Sequence, residues 1–161
     1  MNKTRTACFI ALLLVMIIAA GAPAGDLEDD LIKAAGEGDI SAVSALIAKG
    51  ADVNARDIYG LTALMRAAMK GNKDIALMLL EKKADVNAGN FVNTTALMHA
   101  AGSGHEEIVR ILIAKGADVK AVNALGMTAL DIARQENHSN VAAIPVIMIT
   151  AKQQEADIIR G

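Results

Sequence analysis

Two histidines and a set of regularly spaced aspartates are the residues of this chain that could do chemistry. His105 and His138 lie 33 residues apart, and Asp52, Asp85 and Asp118 repeat at the same interval. Paired imidazoles could bind zinc, but two are too few ligands for a dedicated zinc site. The chain also lacks Gly-x-Ser-x-Gly, a phosphate-binding loop and His-Glu-x-x-His. We therefore predict no catalytic residue, no metal and no cofactor, and a structural role for the recurring acids.

The same interval of 33 residues runs through most of the chain. The sequence Ala-Asp-Val-Asn-Ala occupies residues 51–55 and 84–88, and Ala-Asp-Val-Lys-Ala occupies residues 117–121. Thr-Ala-Leu-Met at residues 62–65 returns at 95–98, and a related tetrapeptide follows one interval later. A fixed period of this length indicates a solenoid, in which each unit buries its apolar face only by stacking on its neighbours.

Each unit reads as two short antiparallel helices joined to the next unit by a hairpin. In the second unit, Thr62 is predicted to cap the first helix and Gly71 to end it. Thr95 and Gly104 take the same places in the third unit. The first unit opens with acidic residues in place of the turn and threonine, as a terminal cap should. The predicted repeats occupy about residues 24–56, 57–89, 90–122 and 123–155.

Three positions depart from the repeat pattern. Lys83 stands where two other units have glycine, and a left-handed backbone at a non-glycine residue costs about 1–2 kcal/mol. Asn137 replaces the glycine between the helices of the fourth unit, which is a milder change. Pro145 falls inside the expected second helix of that unit, where proline costs about 3 kcal/mol. We expect a shifted closing helix from Pro145 to about Ile159; the alternative is an exposed apolar end.

The repeat motif carries a resemblance to a known family. The chain resembles the ankyrin-repeat family, although Met65 and Met98 stand where the family has histidine. The resemblance implies an all-α ankyrin-repeat solenoid of about four helix–turn–helix repeats with terminal caps. It also implies that His105 supports a helix boundary, and His99 is expected at the surface or between repeats. The matching residues in two consecutive units are Asp57, Gly60, Thr62, Leu64, Ala67, Ala68 and Gly71, then Thr95, Leu97, Ala100, Ala101, Gly104 and His105.

The first 24 residues have the three-part plan of a secretory signal. Lys3 and Arg5 precede an apolar stretch at residues 7–20, and Ala22 and Ala24 suit a signal peptidase. We predict a signal peptide over residues 1–24 and an ankyrin-repeat domain over 25–161; the alternative is an uncleaved anchor. Cleavage would remove two cations and the only cysteine, leaving a net charge of −4. That mild acidity gives no reason to expect nucleic acid as a partner, and no membrane association is expected after cleavage.

The positions that the fold leaves free are the hairpin tips and the exposed side of the first helices. The only two aromatic residues after position 24, Tyr59 and Phe91, both fall at tips. Aromatic side chains and methionine are enriched at protein interfaces. The alternative is that the tip residues fold back and pack on one another. The predicted partner-binding residues are Ile58, Tyr59, Leu61, Met69, Lys70, Phe91, Val92, Thr94, Leu125 and Met127.

These features predict a non-catalytic protein–protein interaction module that is exported to a bacterial periplasm or secreted. Family resemblance implies binding of another, exported protein through the hairpin tips and the concave face. Two alternatives remain open at this point: a structural or protective accessory of a periplasmic enzyme, and a secreted effector. An enzymatic role is disfavoured because no nucleophile, base or metal set is visible.

Overall fold

The chain folds as a stack of helix pairs in the computed structural model, which describes residues 24–144. The predicted signal sequence up to residue 23 and the predicted closing helix from Pro145 lie outside the described residues. Within them, no regular strand occurs, so the all-α prediction is confirmed. The helices are α1 (Ala24–Glu37), α2 (Ile40–Ala48), α3 (Ala63–Lys70), α4 (Lys73–Glu81), α5 (Ala96–Gly102), α6 (Glu106–Ala114), α7 (Ala129–Gln135) and α8 (Ser139–Ala142).

The helices form two layers. The first helices of the units, α1, α3, α5 and α7, pack in order against one another, and α2, α4, α6 and α8 form the second layer. Each first helix also packs against its own second helix. These contacts join neighbouring units, and the buried apolar residues form one continuous core along the stack.

Threonine caps set the start of the first helices, as the sequence predicts. Thr62 and Thr95 have extended backbones, and their hydroxyls accept the N–H groups of Met65 at 3.3 Å and Met98 at 3.4 Å. Thr128 caps α7 in the same way and forms a reciprocal capping box with Asp131. All three threonines are buried, so each hydroxyl satisfies a helix N–H that water cannot reach.

Left-handed residues set the boundary between the two helices of each unit. Gly38, Gly71 and Gly104 have φ between +74° and +83°, and Asn137 has φ +61° at the same place. Asparagine tolerates this region better than most residues, so its replacement of glycine preserves the turn. In the fourth unit α8 begins two residues after Asn137 and ends before Pro145.

Lys83 adopts the left-handed backbone that its alignment with glycine predicts. Its φ is +70°, against +97° and +91° at Gly50 and Gly116. Lys83→Gly is expected to stabilise the fold by about 0.5–1 kcal/mol, since relief of about 1–2 kcal/mol of strain is offset by the greater freedom of unfolded glycine. Urea unfolding followed by circular dichroism measures the change. Gly116→Lys is the matched control and should destabilise; a stabilising effect there would contradict the explanation.

Two methionines occupy core positions in the first helices of the second and third units. Met65 and Met98 are 0% and 2% exposed, beside the buried leucines Leu64 and Leu97. The unbranched thioether fills an irregular space without needing a hydrogen-bond partner. Methionine at these two positions therefore keeps the stack closely packed.

Candidate functional site

The recurring histidines hold the boundaries between helices. The Nε2 atom of His105 lies 3.2 Å from the Met69 carbonyl oxygen, and that of His138 lies 3.0 Å from the Gly102 carbonyl oxygen. Asn72 takes the same place one unit earlier and donates to the Ala35 carbonyl at 2.8 Å. Between residues 24 and 144, no group of three or more His, Cys, Asp or Glu side chains could hold a metal ion.

The recurring aspartates accept hydrogen bonds from backbone N–H groups. Asp52 and Asp85 each accept the N–H of the asparagine two residues later at 2.9 Å, and Asp118 accepts from Lys120 at 2.8 Å. Asn54 then accepts the N–H of Asp85, which connects one unit to the next. Each of these carboxylates thus fixes the geometry of its own loop, which is the structural role predicted for it.

One polar side chain at the base of each hairpin fixes the position of the tip. Asp57 accepts the backbone N–H groups of Tyr59 at 2.8 Å and Leu61 at 2.9 Å. Asn90 and Asn123 make the same pair of bonds in the next two hairpins. In such a turn the side chain accepts the backbone N–H groups at the base of the hairpin, and the residues at the apex stay exposed.

Asp57 also pairs with Arg66 on helix α3. The Arg66 Nη2 atom lies 2.9 Å from Asp57 Oδ2, and the carboxylate side chain is only 11% exposed. Burial would raise the pKa of Asp57, but hydrogen bonds from Leu61, Arg66 and Tyr59 and the charge of Arg66 outweigh it and hold the pKa below its usual 3.8. The first hairpin is thus fastened to the helix that follows it.

Asp57→Ala is expected to destabilise the fold by about 1–3 kcal/mol, because two backbone N–H groups lose their acceptor. Asp57→Asn is the matched control, because it keeps that acceptor, as Asn90 and Asn123 do. It loses only the ion pair with Arg66, which should reduce the stability of the fold by under about 1 kcal/mol. The carboxylate contribution is present above pH 3.8 and disappears as the pH falls below it. The gap between wild type and Asp57→Asn in urea unfolding should therefore close in acid; a constant gap would contradict the ion-pair account.

The hairpin tips expose apolar side chains, as predicted from their positions in the repeat. Tyr59 is 63% exposed and Phe91 73%, so neither ring folds back into the core. We call the exposed set the tip stripe: Ile58, Tyr59, Phe91, Val92 and Leu125.

The other predicted site residues divide between the surface and the core. Leu61 is only 7% exposed and belongs to the core, so its assignment to an exposed stripe is wrong. Its N–H bond to Asp57 turns it inward at the base of the hairpin. Met69, Thr94 and Met127 are partly buried, and Lys70 is exposed.

Contacts between hairpins hold the tips in one row. The Phe91 ring lies over Gly60, where a Cβ atom would come within 3.0 Å of the ring carbon Cδ1. Arg56 donates to the carbonyl oxygens of both Gly60 and Gly89. The Ala124 N–H donates to the Val92 carbonyl at 2.9 Å, which joins the next pair. The stripe is therefore a preorganised surface rather than a set of separate loops.

Two depressions flank the stripe on the first-helix layer. The N-terminal depression, about 450 Å³, lies between α1 and α3 and contains the charged side chains Lys33, Glu37, Arg66 and Lys70. The C-terminal depression, about 320 Å³, lies at the equivalent place two units later, and its lining combines Met69, Met98, Met127 and Ile132 with polar residues that include His99, Gln135 and Glu136. The same part of the repeat thus carries several charged side chains near one end of the stack and a mixture of methionine and polar side chains near the other.

Comparison with known protein families decides the classification. A family model described as ankyrin repeats, in three copies, matches residues 7–90 and 87–146. The chain belongs to the ankyrin-repeat family. A search of curated proteins returns no match to it. Ankyrin repeats are in general protein–protein interaction modules, and proteins built from them are typically non-enzymatic.

Membership of the ankyrin-repeat family gives no particular role to the tip stripe or to His99. The His99 Nε2 atom is shielded from solvent and has no hydrogen-bond partner. Burial, and secondarily the charge of Arg66, lower the pKa of His99. Comparison of the units gave one sign in the sequence that His99 is not a repeat-conserving residue, since the equivalent residues are Arg66 and Ile132. The fold does not require a particular side chain at a position whose chemistry varies this much. Among residues 24–144, no helix has the length and apolar character needed to cross a membrane.

Proposed function

We propose that this ankyrin-repeat chain is an exported, non-enzymatic module that binds one partner protein through the tip stripe. The observation that carries the proposal is the row of five exposed apolar side chains on three consecutive hairpins. Contiguous exposed apolar surface marks interaction sites in folded proteins. The stripe also holds the only two aromatic residues beyond position 24.

The energetics of binding favour this surface. Tyrosine and other large aromatic side chains anchor protein interfaces, because they bury much area with few rotatable bonds. The hairpins are linked by the Phe91–Gly60 contact and the Ala124–Val92 hydrogen bond, so little backbone freedom remains to be lost on binding. Preorganisation of this kind raises affinity without new contacts.

Site-specific crosslinking tests the proposed surface. The photoreactive residue p-benzoylphenylalanine replaces Phe91 in the full chain expressed in its own cells, and in a matched chain it replaces Lys82, which is exposed at the end of helix α4. Irradiation should yield one defined protein adduct from position 91 and none of the same mass from position 82. Equal adducts from both positions, or none from position 91, would show that the tip stripe is not the contact surface.

Export to the periplasm is the second element of the proposal. It is supported by the charged start, the apolar stretch and the small residues before Gly25. Cell fractionation with mass spectrometry tests it: the chain should be found in the periplasm beginning at Gly25. A full-length chain in the membrane fraction would support the anchor, and recovery from the medium would support a secreted effector. If the crosslinked partner is an enzyme, its activity with and without the chain distinguishes inhibition from protection.

A further inference from the structure

A glycine at the first hairpin tip receives an aromatic ring from the hairpin that follows. The Phe91 ring lies against Gly60, where a Cβ atom would come within 3.0 Å of the ring carbon Cδ1. Gly60 has φ +75°, and Asn93 takes the same place in the second hairpin with φ +56°. Because asparagine tolerates this backbone, the turn alone does not require glycine at Gly60. The absent side chain makes room for the ring.

The third hairpin ends the row and repeats the receiving features without a hairpin to use them. Gly126 takes the place of Gly60 with φ +74°, yet beyond its chain neighbours nothing in residues 24–144 lies within 4 Å of its Cβ position. The Val92 carbonyl accepts the Ala124 N–H at 2.9 Å, but no N–H of these residues donates to its equivalent, the Leu125 carbonyl. We call Leu125 and Gly126 the terminal edge.

The chain has no aromatic residue left to cover the terminal edge. Its aromatic residues beyond position 24 are Tyr59 and Phe91, and residues 145–161 contain none. Phe91 already packs on the first hairpin, and Tyr59 belongs to that hairpin, at the opposite end of the row. A ring on Gly126 would therefore come from another molecule. Leu125 is 79% exposed beside it and adds apolar surface for such a ring.

We propose that the terminal edge receives an aromatic residue of the partner protein, whose ring lies on Gly126 and whose N–H donates to the Leu125 carbonyl. The chain itself shows the ring contact at the first junction between hairpins and the hydrogen bond at the second. Phe91 and Ala124 occupy the same place in consecutive hairpins, so one residue meets both features. In such edge recognition, backbone hydrogen bonds supply affinity and side-chain contacts supply specificity. The inference rests on the proposed function, because it identifies which residue of the bound protein continues the tip stripe.

Crosslinking from the terminal edge is the first test. p-Benzoylphenylalanine replaces Leu125 in the full chain expressed in its own cells, and mass spectrometry maps the adduct. Position 125 should capture the same protein as position 91, at a site within a few residues of a phenylalanine, tyrosine or tryptophan. Capture from position 91 without capture from position 125 would overturn this inference and leave the tip-stripe proposal standing, whereas capture from neither would overturn both. An adduct between two copies of the chain would also overturn it.

A double-mutant cycle with the captured partner is the second test. Gly126→Asn copies Asn93, so it keeps the turn while its side chain takes the place of the ring. Calorimetry should show about 10-fold weaker binding for Gly126→Asn, and the same for alanine at the partner's aromatic residue. The two changes together should weaken binding no further, because both remove one contact.

Gly116→Asn is the matched control for the cycle. It replaces another left-handed glycine with open space around its Cβ position, at the end of helix α6 and not at a hairpin tip. Its dissociation constant for the partner should equal that of the wild-type chain. Additive losses in the cycle, or an unchanged dissociation constant for Gly126→Asn, would overturn the proposal.

Discussion

Gly104→Ala is expected to destabilise the fold by about 2–3 kcal/mol. Gly104 has φ +74°, where an alanine costs about 1–2 kcal/mol. A Cβ atom there would also lie 2.6 Å from His138 Nδ1, well inside contact distance. The imidazole would have to move, and its bond to the Gly102 carbonyl, worth about 0.5–1.5 kcal/mol net, would be lost or weakened.

Gly116→Ala is the matched control for this effect. Gly116 has φ +91°, but nothing lies within 4 Å of the position its Cβ would take. That variant should lose only the backbone share, about 1–2 kcal/mol. The entropy change of the unfolded chain is common to both substitutions and cancels in the comparison. Urea unfolding of the two variants measures the difference; equal losses would mean that His138 can be displaced freely and does not brace the boundary.

The fold could be predicted from sequence because the same local signals recur in register. Thr62 and Thr95 cap helices where their position before an Ala-Leu-Met run indicates, and the left-handed glycines Gly71 and Gly104 follow the ends of these helices. Even Lys83 takes the left-handed backbone of the glycines it replaces. Because the same capping and turn residues recur at the same spacing in several units, they are distinguished from chance matches in a single unit.

The candidate site was less predictable, since exposure depends on contacts between units. Leu61 follows an exposed tip in the sequence, yet the Asp57 hydrogen bond turns it into the core. His99 shares its repeat position with Arg66, but the change from Asp57 to Asn90 removes the carboxylate partner. Each outcome depends on a residue in another part of the unit, which periodicity alone does not reveal.

The combined change Tyr59→Ala and Phe91→Ala is expected to weaken partner binding by about 100-fold. Two aromatic anchors at an interface each contribute on the order of 2 kcal/mol, and their effects are not fully additive. A loss of about 2.7 kcal/mol corresponds to a factor of about 100 in the dissociation constant. Both rings are largely exposed, so the fold should keep its stability within about 0.5 kcal/mol.

Ile40→Ala is the matched control for the loss of exposed apolar surface. Ile40 is 42% exposed at the start of helix α2, in the second helix layer and away from the hairpin tips. Its removal should leave the affinity for the partner unchanged. A loss of binding in this variant equal to that of the double variant would point to a general effect of apolar surface and not to the tips.

The central claim is tested most directly by the dissociation constant of the crosslinked partner. Titration calorimetry measures it for the wild-type chain, for the Tyr59→Ala and Phe91→Ala double variant, and for Ile40→Ala. The tip-stripe account predicts a rise of about 100-fold for the double variant and no change for Ile40→Ala. An unchanged dissociation constant for a folded double variant would contradict it and place the binding surface elsewhere on the stack.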